Sequence, residues 1–77
     1  MTSATLAALE SSLGPGAVEK IRNVVRRRAS SEIVLNLVQL DLDGERAQAT
    51  VRYFVEDPAY PEVTLSFEEL EELLAGR

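Results

Sequence analysis

The segment Glu32-Ile33-Val34-Leu35-Asn36-Leu37-Val38-Gln39-Leu40-Asp41-Leu42 mixes leucines with β-branched residues and shows no helical period. Such residues suit a pleated backbone, and residues 32–42 read as one long strand. A strand in an antiparallel sheet covered on one side should alternate apolar with polar residues. This one does not. Ile33, Leu35 and Leu37 share one face, while Val34, Val38, Leu40 and Leu42 share the other, with Asn36 among them.

Asp43-Gly44 follows at once and is the strongest hairpin signal in the chain. The second strand, from Arg46 to Val55, alternates cleanly. Ala47, Ala49, Val51, Tyr53 and Val55 lie on one side, and Arg46, Gln48, Thr50, Arg52 and Phe54 on the other. Two turns compete for the hairpin. A two-residue Asp43-Gly44 turn pairs Leu40 with Ala47 and Val38 with Ala49. A three-residue turn with a glycine bulge pairs Leu37 with Ala49 and Leu35 with Val51. A slip of one residue exchanges the faces, so both registers stay open. Under either, the first strand keeps large aliphatic side chains on the face away from the second strand's apolar side.

On the N-terminal side, Leu6, Leu9 and Leu13 recur at helical spacing behind Thr2 and Ser3, either of which can cap the first turn. Gly14-Pro15-Gly16 stops that helix. A second helix is expected from Ala17 to Ala29, with Val18, Ile21 and Val25 as its apolar stripe and Arg26, Arg27 and Arg28 complementing the helix dipole in its last turn. On the C-terminal side, residues 56–61 contain two prolines and read as a loop, and Val63-Thr64-Leu65 as a short third strand. Ser66 and Glu69 have capping-box spacing at the start of a last helix. Phe67, Leu70, Leu73 and Leu74 form its apolar face, and Gly76 ends it. The order is ααβββα: an α+β fold in which helices pack a three-stranded antiparallel meander. Residues 1–77 form a single small domain, with the helix in residues 1–14 placed at its periphery.

With 77 residues and no cysteine, the chain has a thin core and no disulfide to support it. Small unstapled domains often gain stability by association. The N-terminus lacks the basic and apolar runs of a secretory signal, and the run from Ile33 to Leu42 is too short to span a membrane. A cytoplasmic setting is expected. Charge is divided. Residues 1–30 carry five basic residues against two acids, and residues 31–77 carry three arginines against eleven acids. Pairing across the fold is the simplest use of that division.

Histidine and cysteine are both absent, which removes the commonest general base, the commonest metal ligand and the thiol nucleophile. Asp41, Asp43 and Glu45 alternate like part of a calcium loop, but the later bidentate glutamate is missing. No catalytic residue, metal site or cofactor is expected. Arg22, Arg26, Arg27 and Arg28 could form a phosphate patch, which would make a nucleic-acid-associated role the alternative reading. Glu68, Glu69, Glu71 and Glu72 would repel phosphates from the last helix. The first strand carries neither lysine nor proline, the usual devices against unwanted edge pairing. The expected function is therefore a non-catalytic protein-interaction or accessory module that self-associates through residues 32–42 as a homodimer, or else docks another protein there, with Ile33, Val34, Leu35, Leu37, Val38, Leu40 and Phe54 at the contact.

Overall fold

The computed structural model describes residues 3–75. Thr2 and Gly76, expected as a cap and a terminator, lie outside the described residues. The elements run α1 (Ala4–Ser12), α2 (Pro15–Arg27), β1 (Ser31–Val34), β2 (Val38–Asp43), β3 (Gln48–Tyr53), β4 (Val63–Ser66) and α3 (Phe67–Leu74). The fold is α+β, and its sheet is an antiparallel meander in the order β1-β2-β3-β4. It has four strands rather than the expected three, because residues 32–42 form a hairpin instead of one strand.

The reversal occurs at Asn36-Leu37, and the Leu35 N–H donates to the Val38 carbonyl at 2.9 Å. The turn is held from outside: the Leu37 N–H donates to the Ser12 hydroxyl at the end of α1, at 3.2 Å. Folding back places Ile33 opposite Leu40, and both are buried. Val38, Leu40 and Leu42 then face the core opposite Tyr53, Val51 and Ala49 of β3. Ile33, Val38 and Leu40, expected at a docking surface, are core residues of this chain. Leu35 is half-buried and packs against the same core.

Neither expected register forms at the second hairpin. Asp43 pairs with Gln48, which leaves residues 44–47 as the connection. The Asp43 carboxylate accepts from the N–H groups of Glu45 and Arg46, and the left-handed residue is Ala47 (φ 52°) rather than Gly44. Glycine is needed at position 44 for space. A Cβ there would lie 1.9 Å from the Arg28 carbonyl oxygen. The backbone leaving α2 presses on this turn, and the Gly44 N–H donates to the Ser30 hydroxyl at 2.9 Å. The β3 strand ends at Tyr53, two residues sooner than expected, because β2 starts at Val38 and offers Val55 no partner.

The helices supply the other half of the core. In α1 the buried positions are Thr5, Ala8, Leu9 and Ser12, one residue around from the leucine stripe. Its buried hydroxyls are both used. Thr5 donates to the Pro61 carbonyl, and Ser12 donates to the Ala8 carbonyl while accepting from Leu37. With Leu9 fully buried, α1 is a core element. Helix α2 begins at Pro15, earlier than expected, since proline at the first helical position has its φ already set and lacks only a donor the helix does not use. Its stripe of Val18, Ile21 and Val25 is buried. Phe67, Leu70 and Leu74 of α3 close the same core. Ser66 and Glu69 form the expected capping box.

Candidate functional site

Every side chain of the sheet that is fully buried points to one face; the other is open. The registers arrange that open face in rows across the strands. Glu32, Asp41, Thr50 and Thr64 form one row. Val34, Gln39 and Arg52 form the next. Beyond the paired residues the Phe54 N–H donates to the Leu37 carbonyl, and Leu37 itself borders a hollow against Ala4, Ala7, Ala8 and Ser11 of α1.

The central rows are polar and internally paired. Arg52 donates to Glu62 at 2.6 Å and pairs with Asp41 at 3.3 Å. The hydrogen bond to Glu62, with the nearby charge of Asp41, holds its guanidinium above the ordinary arginine value. The amide of Gln39 donates to Asp41 at 2.9 Å and to Glu32 at 3.3 Å. Among the described residues Glu32 has no ion pair.

One corner is different. Val34 is 68% exposed, Leu37 40%, Phe54 51% and Val55 63%. Beside this corner, Phe54, Val55, Glu56, Asp57, Pro58 and Tyr60 border an open groove of about 600 Å³. Its wall is stiffened by Tyr53 and Tyr60, whose rings stack with centroids 4.0 Å apart. Of the expected interface residues, Val34, Leu37 and Phe54 are exposed at this end of the sheet, but only Phe54 borders the groove; Leu37 borders a hollow against α1, and Val34 lies across β2 from β3. Val55 was not among the expected interface residues, because alternation puts it on the core side of a longer strand.

The backbone of β1 completes the picture. In an antiparallel ladder, successive residues point their N–H and C=O groups alternately toward and away from the neighbour. The Leu35–Val38 bond sets that alternation: Leu35, Ile33 and Ser31 bond to β2, so Glu32 and Val34 point their backbone groups outward. The opposite edge differs. Phe67 donates to the Ala47 carbonyl at 2.8 Å, so the outward residues of β4 are Thr64 and Ser66. The Ser66 N–H is occupied by the Glu69 carboxylate at 3.0 Å, and an N-cap carbonyl already accepts the first bond of its helix.

Three of the four arginines stay neighbours, since Arg22 and Arg26 border the same hollows, and Arg26 and Arg28 another, but acids share each of them. Arg22 donates to the Leu74 carbonyl at 2.9 Å, satisfying an otherwise unpaired group at the end of α3. Arg28 is the left-handed cap of α2. Arg26 and Arg28 border a surface hollow together with Glu68 and Glu71, so acids stand where a phosphate would approach. Arg27 is exposed. Among the described residues no group of three or more acids could hold a metal ion, and no helix is long and apolar enough to cross a membrane. No protein-family model, curated protein or solved structure matches the chain.

Proposed function

We propose that this chain is a non-catalytic protein-interaction module that docks its partner at the β1 end of the open sheet face. The observation that carries this reading is the exposure of Val34, Leu37, Phe54 and Val55 at the same end of the sheet, where Glu32 and Val34 point backbone groups outward from the edge. Single exposed apolar residues need no explanation, but large ones gathered at one end of a sheet beside an outward-facing strand edge are a recognition feature. The polar rows next to it supply the rim that such a contact requires.

The partner is a protein chain, either a second copy or a different protein. A photo-crosslinking side chain at position 54, introduced in cells that make the protein, is expected to give discrete protein adducts. The same group at Lys20, on the exposed side of α2, is the control and should give none. An adduct of twice the chain mass identifies a second copy, and any other discrete mass a different protein. Equal adducts from both positions, or none from either, would reject the reading.

A further inference from the structure

The free edge of β1 has a chemistry of its own, and it selects among partners. On the proposed reading that this corner docks a protein, we infer that the occupant is an extended segment of a different protein. It adds antiparallel to β1 and presents an apolar residue followed two positions later by lysine or arginine.

The geometry leads there in three steps. Outward backbone groups on β1 belong to Glu32 and Val34, and narrow antiparallel pairs with an added strand use all of them. Residues directly opposite each other in a sheet share a face. The side chains facing Val34 and Glu32 therefore also lie on the open face, and the residue between them lies opposite Ile33. Because the added strand runs antiparallel, the residue opposite Val34 comes first and the one opposite Glu32 comes two later.

Charge then sets their character. Val34 is the apolar end of the row and calls for an apolar neighbour. Glu32 accepts from the Gln39 amide but is in no ion pair among the described residues, and Asp41 lies next to it in the same row. Beyond the corner the surface continues through Glu56 and Asp57, both exposed. Arg52, the cation of these rows, is already held by Glu62 and Asp41. A cationic side chain opposite Glu32 would give it the ion pair that Gln39 does not.

A second copy fits poorly. Pairing β1 with its own copy can place Glu32 opposite Val34, which sets a charge against an aliphatic group on both sides. It can place Glu32 opposite Glu32, which repels. It can place Val34 opposite Val34, but Glu32 then meets Asn36, inside the turn and outside the strand. The β4 edge of another copy offers only Thr64, because its Ser66 N–H is taken. A different, basic chain avoids all of these mismatches.

The test uses the full chain labelled with ¹⁵N and a short extended threonine peptide carrying one valine-threonine-lysine triplet. Its counterpart has glutamate for lysine. The lysine peptide is expected to bind about tenfold more tightly, as the change from an attractive to a repulsive cross-strand pair implies. It should slow hydrogen exchange at the Glu32 and Val34 amides. Glu32→Lys, an exposed change, should reverse the preference without unfolding the chain. Binding that perturbs Leu37, Phe54 and Val55 but leaves the Glu32 and Val34 amides unprotected overturns the edge inference and leaves the docking corner standing. Equal binding of the two peptides also overturns it. If neither peptide perturbs any residue of this end, the edge inference falls, and the crosslinking at position 54 decides separately whether the corner docks anything.

Discussion

The two edges of the sheet are built from similar short strands yet end in opposite states. At β4 the chain turns directly into α3, and the capping box that starts the helix also consumes the Ser66 N–H. That edge is blocked at Ser66 by the same residues that make the helix begin, which leaves Thr64 as its outward residue. At β1 the chain arrives from α2 through a loop, and among the described residues no side chain bonds the outward backbone groups of Glu32 and Val34. Natural sheets usually blunt an edge with charge, proline or cover. Here one edge is blunted by local helix chemistry and the other keeps only Glu32. Capping is thus a way to terminate a sheet as well as to start a helix, and where it is missing the edge remains available.

Three substitutions test that contrast. Gly44→Ala has the largest expected effect, because the new Cβ meets the backbone of Arg28 and Ala29 and no flexible side chain can yield. A loss of about 3 kcal/mol or more is expected by chemical denaturation, toward the upper end of overpacking costs. Hydrogen exchange in the surviving folded fraction should accelerate first in β1, whose root this contact secures. Equal acceleration at both edges would mean that β1 is not the looser one.

Ser12→Ala is the intermediate case. It deprives the Leu37 N–H of its partner at the turn of the β1–β2 hairpin, and about 1–2 kcal/mol of stability should go with it. The Leu37 amide should lose protection while β4 amides keep theirs. An unchanged Leu37 exchange rate would show that the turn holds without α1.

The smallest effect, about 1 kcal/mol, is expected for Ser66→Ala, which removes the α3 cap. It should also lead the β4 edge toward the open state of β1. The Glu69 carboxyl is held below its ordinary value by hydrogen bonds with the backbone and then the side chain of Ser66. Its folded value being depressed, its contribution is present above the unfolded carboxyl value and fades as pH falls through the lower folded one. Wild-type stability should therefore drop toward that of Glu69→Gln on acidification. Parallel pH profiles for the two proteins would remove the cap from the account.

Legibility in the sequence followed the range of the interactions. The capping box, the stripe of α2 and the alternation of Ala49, Val51 and Tyr53 were readable because each depends on neighbours within one helical turn or one strand. The break at Asn36-Leu37 was not. It carries no glycine or proline and continues the apolar pattern, and its partner is a hydroxyl 25 positions away. Asn36 was the one local hint, since asparagine accepts turn geometry readily. Asp43-Gly44 gave the reverse lesson. The turn is there, but its glycine answers a backbone contact with Arg28 rather than a left-handed conformation.

For this protein the sequence alone determined which segments are helical, that the remainder forms an antiparallel meander, and where the last helix starts. Those outcomes follow from residue-level preferences and from periodicity, which act over a few positions. Tertiary structure decided the number of strands, the register, and which aliphatic side chains meet solvent. Residues 32–42 carry the pattern of one strand, but the Ser12 hydroxyl of α1 holds the Leu37 N–H in a turn. The chain folds back there, and Ile33 goes to the core while Val34 stays on the free edge.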